Sequence, residues 1–106
     1  MYCVYLRNTL LRMIKSIKHK GISLLATKND ASKLNQNLVR KIKQVLVLLN
    51  NINEVPKDLE LYKHLRPHPY KGVKDNIWSL DISGNWRIIF EFKDGHVYNV
   101  DMIDPH

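Results

Sequence analysis

The sequence predicts an α+β domain, in which an N-terminal strand and two helices pack on a small antiparallel sheet that ends in a C-terminal β-meander. Two observations carry this. Apolar residues between Leu34 and Leu49 recur at three and four residue intervals, the period of a helix, whereas from Trp78 to Met102 they alternate, the period of a strand. The alternating part is also punctuated by Ser83-Gly84-Asn85 and by Asp94-Gly95, which are expected to supply the positive-φ residues of tight antiparallel hairpins.

Residues 1–12, "MYCVYLRNTLLR", are apolar but lack a basic leader and a small-residue cleavage site, and Met13 opens "MIKSIKHKG" as a more natural start. They are read as an extension without chemistry, which leaves residues 13–106 as one domain. Ile14 to Ile17 form a short first strand, bounded by Lys18, His19, Lys20 and Gly21. Ile22 to Ala26 suit a short helix, after which Asn29, Asp30 and Ser32 offer N-cap side chains for a longer one. In that second helix Leu34, Leu38, Ile42, Val45, Leu46 and Leu49 make the apolar stripe, Lys33, Arg40, Lys41 and Lys43 fall largely outside it, and Asn50-Asn51 ends it. Residues 51–76 contain Pro56, Pro67 and Pro69 and read as an irregular connection, long enough to be a working loop. Three strands follow, with Trp78, Leu80 and Ile82, then Trp86, Ile88, Phe90 and Phe92, then Tyr98, Val100 and Met102 facing the helices.

Composition narrows the functional classes. With 44% hydrophobic and 25% charged residues the chain reads as soluble, and no run approaches the ~20 apolar residues of a membrane helix. Lys and Arg number 17 against 10 Asp and Glu, a net charge of +7 that favours a nucleic acid or an acidic partner. The lone Cys3 forms neither an internal disulfide nor a thiolate cluster, so the cytoplasm is the default compartment.

Alternation places Arg87, between Trp86 and Ile88, on the face turned away from the helices, together with Ile89 and Glu91. There it serves either as a surface partner of Glu91 or Asp81 or as a ligand for phosphate. His68, Lys71, Arg87, Asp104 and His106 are the polar groups such a meander gathers on its outer face. Phosphodiester cleavage requires a base, an acid and cations that stabilise added negative charge, and these residues fill all three roles without a metal. His64 and His68 have the spacing of helical zinc ligands, but Pro67 and Pro69 break the helix and no acid completes the pattern. No Gly-rich phosphate loop, G-x-S-x-G or reactive-cysteine setting supports nucleotide triphosphate or acyl-enzyme chemistry.

"MIKSIKHKG", the helix from Leu34 to Leu49, "HPYKG" at His68, "IWSLDISGNWRIIFEFKDG" at Ile77 and the terminal "VDMIDPH" together resemble the HigB-type toxins of the RelE superfamily, over about residues 13–106. The resemblance implies the RelE-like version of the fold above and a toxin of a type II toxin-antitoxin system. Such a toxin enters the ribosomal A site, cleaves translated mRNA without a cofactor, and is held inactive by a HigA-like helix-turn-helix antitoxin. It further implies that His68, Lys71, Arg87, Asp104 and His106 belong to the active surface; His68, Arg87, Asp104 and His106 are expected to be catalytic and Lys71, Lys74 and Asn85 to contact RNA, Asn85 chiefly shaping its turn. With the resemblance included, Arg87 is assigned to phosphate. Family members commonly end in Asp-Tyr-His where this chain has Asp104-Pro105-His106, which removes an aromatic ring and a hydroxyl and stiffens the approach of His106. That departure keeps a second expectation open: a catalytically weakened homologue acting as an antitoxin-binding module in transcriptional autoregulation.

Overall fold

A computed structural model of the chain describes residues 2–3, 13–70 and 76–104. Six strands form one sheet: β1 (Tyr2–Cys3), β2 (Ser16–Ile17), β3 (His68–Pro69), β4 (Ile77–Asp81), β5 (Arg87–Lys93) and β6 (His96–Ile103). Their spatial order is β1-β2-β6-β5-β4-β3. The meander is antiparallel throughout, as its turns require. β2 runs parallel to β6, so the sheet is mixed and not wholly antiparallel as the sequence predicts. That pair is anchored by Lys15 N–H to the Val97 carbonyl and by Lys18 N–H to the Val100 carbonyl, both at 2.7 Å.

Helix α1 (Lys20–Lys28) is longer than the predicted Ile22 to Ala26. The His19 side chain extends it backwards, its Nδ1 accepting from Ile22 N–H at 3.2 Å. Asn29, expected at the start of the next helix, instead closes α1 in the left-handed conformation (φ 53°), its N–H returned to the carbonyls of Leu24 and Leu25. Helix α2 (Val39–Leu49) begins later than Leu34. The Asn35 side chain accepts from Asn37 N–H at 2.9 Å, and this local bond holds the preceding residues in turns.

The stretch predicted to be irregular holds two 3-10 turns over Lys57–Leu65, kinked at Tyr62. Asp58 organises their start: its Oδ2 accepts from the N–H groups of Asn53 and Glu54, and these bonds hold its carboxyl below the ordinary carboxylate range. The same stretch ends in β3, whose residues pair with β4 as His68↔Ser79 and Pro69↔Trp78.

One hydrophobic cluster joins the inner face of the sheet to the helices. Ile14, Ile17, Leu80, Ile88, Phe90, Val97 and Val100 meet Ile22 and Leu25 of α1, Ile42, Val45 and Leu49 of α2, and Leu59 and Leu65 of the 3-10 segment. Trp78 and Trp86 are half-buried against it. The simple alternation fails in β6. Ile89 pairs with Asp101 but Glu91 pairs with Tyr98, so β6 carries an extra residue and a bulge. Asn99 takes the strain at φ 56°. In consequence Val97 and Val100 point inward and Tyr98 is half-exposed, its ring set edge-on to His96. Asn99 is stitched in place by its N–H to Ser16 Oγ (2.9 Å) and its Nδ2 to Glu91 Oε2 (3.2 Å).

The two hairpins differ. Asp94 (φ 53°) and Gly95 (φ 79°) form the positive-φ turn their sequence predicts. Ser83-Gly84-Asn85 does not use positive φ; Ser83 Oγ accepts from the N–H groups of Asn85 and Trp86, and a side chain thus does the work expected of the backbone.

Asn50, at the end of α2, holds the segment that leads into β2. Its Oδ1 accepts from Met13 N–H at 3.1 Å and Ile14 N–H at 3.3 Å in a buried setting. Asn50→Ala leaves two backbone donors without an acceptor, at a cost of about 1–3 kcal/mol. The expected readout is a lower urea midpoint at unchanged m-value; an unaltered midpoint contradicts this role.

Candidate active site

Strand register arranges the outer face in rows. Cross-strand partners share a face, so His68, Ser79, Ile89 and Asp101 form one row, and Asp81, Arg87 and Ile103 form the next. Arg87 therefore lies away from the helices, as alternation predicts, and its side chain is 36% exposed. The register also decides its partner. Arg87 Nε lies 3.2 Å from Asp81 Oδ1, while Glu91 is engaged by the amides of Asn76 and Asn99. Asp81 Oδ1 is buried and has no directed hydrogen bond, so the contact is a charge pair and not a formed bond. The approach is through Nε of the guanidinium.

His68 stands on the same face, half-buried in β3. Its Nδ1 lies 2.7 Å from the Arg66 carbonyl oxygen, which only accepts, so Nδ1 carries hydrogen. In the neutral ring Nε2 is then the free lone pair, the form a general base needs; in the cation it becomes a donor. Two strand spacings and a two-residue offset separate His68 from Arg87, roughly 12 Å between backbones. At that separation the two residues lie on different strands and in different rows of the same face.

Asp104 is exposed and directly follows Ile103, the cross-strand partner of Arg87, so its backbone lies at the Arg87 end of the sheet. Asn85 is exposed in the turn that leads into β5. Lys71, Lys74 and His106 lie outside the described residues. A groove of about 180 Å³ continues the outer face beside this area, with Ile77 and Ile89 in its lining and Lys18, Glu91 and Asp101 as its charged groups. Among the described residues no three His, Cys, Asp or Glu side chains gather as metal ligands would, and no helix is long and apolar enough to cross a membrane.

Against this geometry, residues 15–106 match the family model described as the RelE-like toxin of type II toxin-antitoxin system HigB. This chain belongs to the HigB-like toxin family. The match extends to an endoribonuclease HigB of Proteus vulgaris, 36% identical over 95 residues that span 89% of this chain and 100% of that protein. The solved structure of YafQ from E. coli strain BL21(DE3) shares the fold, with a TM-score of 0.51 and 14% identity over 89% of this chain and 93% of its own.

Two neighbours of Arg87 in this HigB-like toxin stand outside the predicted site. Asp81 is visible in the sequence only as one possible partner of Arg87. Arg66 precedes the "HPYKG" segment in a proline-rich stretch that gives no periodicity to place it. Its Nε lies 3.8 Å from Asp81 Oδ2.

Proposed function

We propose that this chain is a cytoplasmic, ribosome-dependent mRNA endonuclease, neutralised by a HigA-like helix-turn-helix antitoxin. The observation that carries the reading is the placement of Arg87 and His68 on the sheet face turned away from the core, in a chain 36% identical to a protein named an endoribonuclease. The catalytic residues are His68, Arg87, Asp104 and His106, with Lys71, Lys74 and Asn85 contacting RNA. Asp104 or a histidine takes the proton of the message's 2′-hydroxyl, whose oxygen attacks the adjacent phosphorus. Arg87 and Lys71 stabilise the doubly charged phosphorane. A histidine protonates the departing 5′-oxygen, so the products are a 2′,3′-cyclic phosphate and a 5′-hydroxyl end. No step requires a metal.

Expression without antitoxin is expected to arrest growth and leave cuts within translated messages. His106→Ala is expected to abolish both while the protein remains folded by circular dichroism. Pro105 favours a second reading, an antitoxin-binding module with little activity. Antitoxin binding without arrest or cuts supports that reading and removes the first.

A further inference from the structure

We propose that Arg66 is a second phosphate ligand of the outer face, and that Asp81 is the positioning residue that holds it beside Arg87. The inference rests on the reading of this face as the RNA-cleaving surface, and adds to it a residue placed outside the expected site.

The Asp81 carboxylate sits between two guanidinium groups, with Oδ1 3.2 Å from Arg87 Nε and Oδ2 3.8 Å from Arg66 Nε. Two cations share one anion, so the cluster keeps a net positive charge at the surface. Burial is graded in the order a clamp requires: the Asp81 side chain is 17% exposed, that of Arg87 36% and that of Arg66 81%. The carboxylate lies below, and the guanidiniums reach from it toward solvent. Arginine suits this arrangement because an edge turned to a carboxylate leaves other donors of the planar fork for phosphate oxygens. Asp81 Oδ1 lacks a directed hydrogen bond, so an incoming phosphate re-aims the guanidiniums without breaking a formed one.

The backbone gives an independent indication. Arg66 ends the 3-10 segment at φ 49° and ψ 57°, in the left-handed region where glycine or asparagine fits at least cost. A long charged side chain there is poorly explained by local structure and well explained by a use for the guanidinium. The carbonyl of the same residue also fixes the tautomer of His68. One residue thereby ties the orientation of an imidazole to the position of a cation.

Arg66→Gly separates structure from function, because it keeps the carbonyl bonded to His68 and relieves the left-handed backbone. The assay is single-turnover cleavage on ribosomes programmed with a defined message, with binding measured on the same message carrying a 2′-deoxy cut site. The variant is expected to melt no lower than wild type and to cleave about tenfold or more slowly. Its binding should lose about 0.7 from the slope of log affinity against log salt, the share of one single-strand phosphate. Arg66→Lys is expected to restore the slope but only part of the rate, since ammonium does not fork. A message neutralised by a methylphosphonate beside the cut should lose little further affinity from Arg66→Gly, which identifies the contact as the message and not ribosomal RNA. Unchanged rate and slope in Arg66→Gly, with both reduced in Arg87→Ala, overturn the inference alone, as do fully additive losses with the neutralised message. If Arg87→Ala also binds and cuts as wild type does, the reading of this face falls and takes the inference with it.

Discussion

Arg87→Ala is expected to abolish growth inhibition and to slow cleavage of translated message by about a hundredfold or more, while leaving the protein folded. The size follows from the charge that Arg87 would meet. A pentacovalent phosphorane carries one more negative charge than the ground state, and removing a preorganised donor from such charge typically costs 10²–10³-fold in rate. The stability cost is small by comparison. The Arg87 side chain is 36% exposed, and its contact with the more buried Asp81 is a charge pair at 3.2 Å and not a directed hydrogen bond, so its loss breaks no formed bond. Asp81 is also left with Arg66 nearby, so its carboxylate keeps a counter-charge. Rate constants on programmed ribosomes, set beside a thermal melt of the same sample, check both parts. A loss of rate that tracks a loss of folded protein would assign Arg87 to the scaffold.

Phe90→Ala is the contrasting case, with a stability loss of about 3–5 kcal/mol. Phe90 is 1% exposed in the middle of β5, paired with Trp78 of β4 and part of the hydrophobic cluster. No side-chain rearrangement on the packed inner face fills the space of a deleted ring at no cost. Against a total stability of about 5–15 kcal/mol this removes a third or more of the margin. Growth inhibition should fall because less protein is folded, with a lower urea midpoint, and the folded fraction should cleave at close to the wild-type rate. Arg87→Ala inverts that pattern, although the two residues are neighbours but for two positions on one strand. A wild-type urea midpoint for Phe90→Ala would contradict the packing described.

What the sequence made legible followed from local rules. The meander could be read because alternation and Asp94-Gly95 act within a few residues, and the outward direction of Arg87 follows from the same alternation. The choice of Asp81 over Glu91 as its partner depends on which residues lie opposite, a property of register. The bulge at Asn99 was equally hidden, since the bonds that hold it come from Ser16 and Glu91, far along the chain or across a strand. The parallel pairing of β2 with β6 is a long-range contact with no local signature. Asn35 shortened α2 through a side-chain bond that competes with helix, and Asp58 ordered a stretch whose prolines suggested irregularity. Arg66 was missed for a related reason: neither its left-handed backbone nor its proximity to Asp81 leaves a mark in residue spacing.

The chemistry of the cut ends tests the central claim most directly. Message cleaved on ribosomes by the wild-type chain should carry a 2′,3′-cyclic phosphate on the upstream fragment and a 5′-hydroxyl on the downstream one, and neither end should form with Arg87→Ala. Fragments with 5′-phosphate ends, or the same cuts at undiminished rate without the Arg87 guanidinium, would contradict attack by the 2′-oxygen on a phosphate held at the outer face of the sheet.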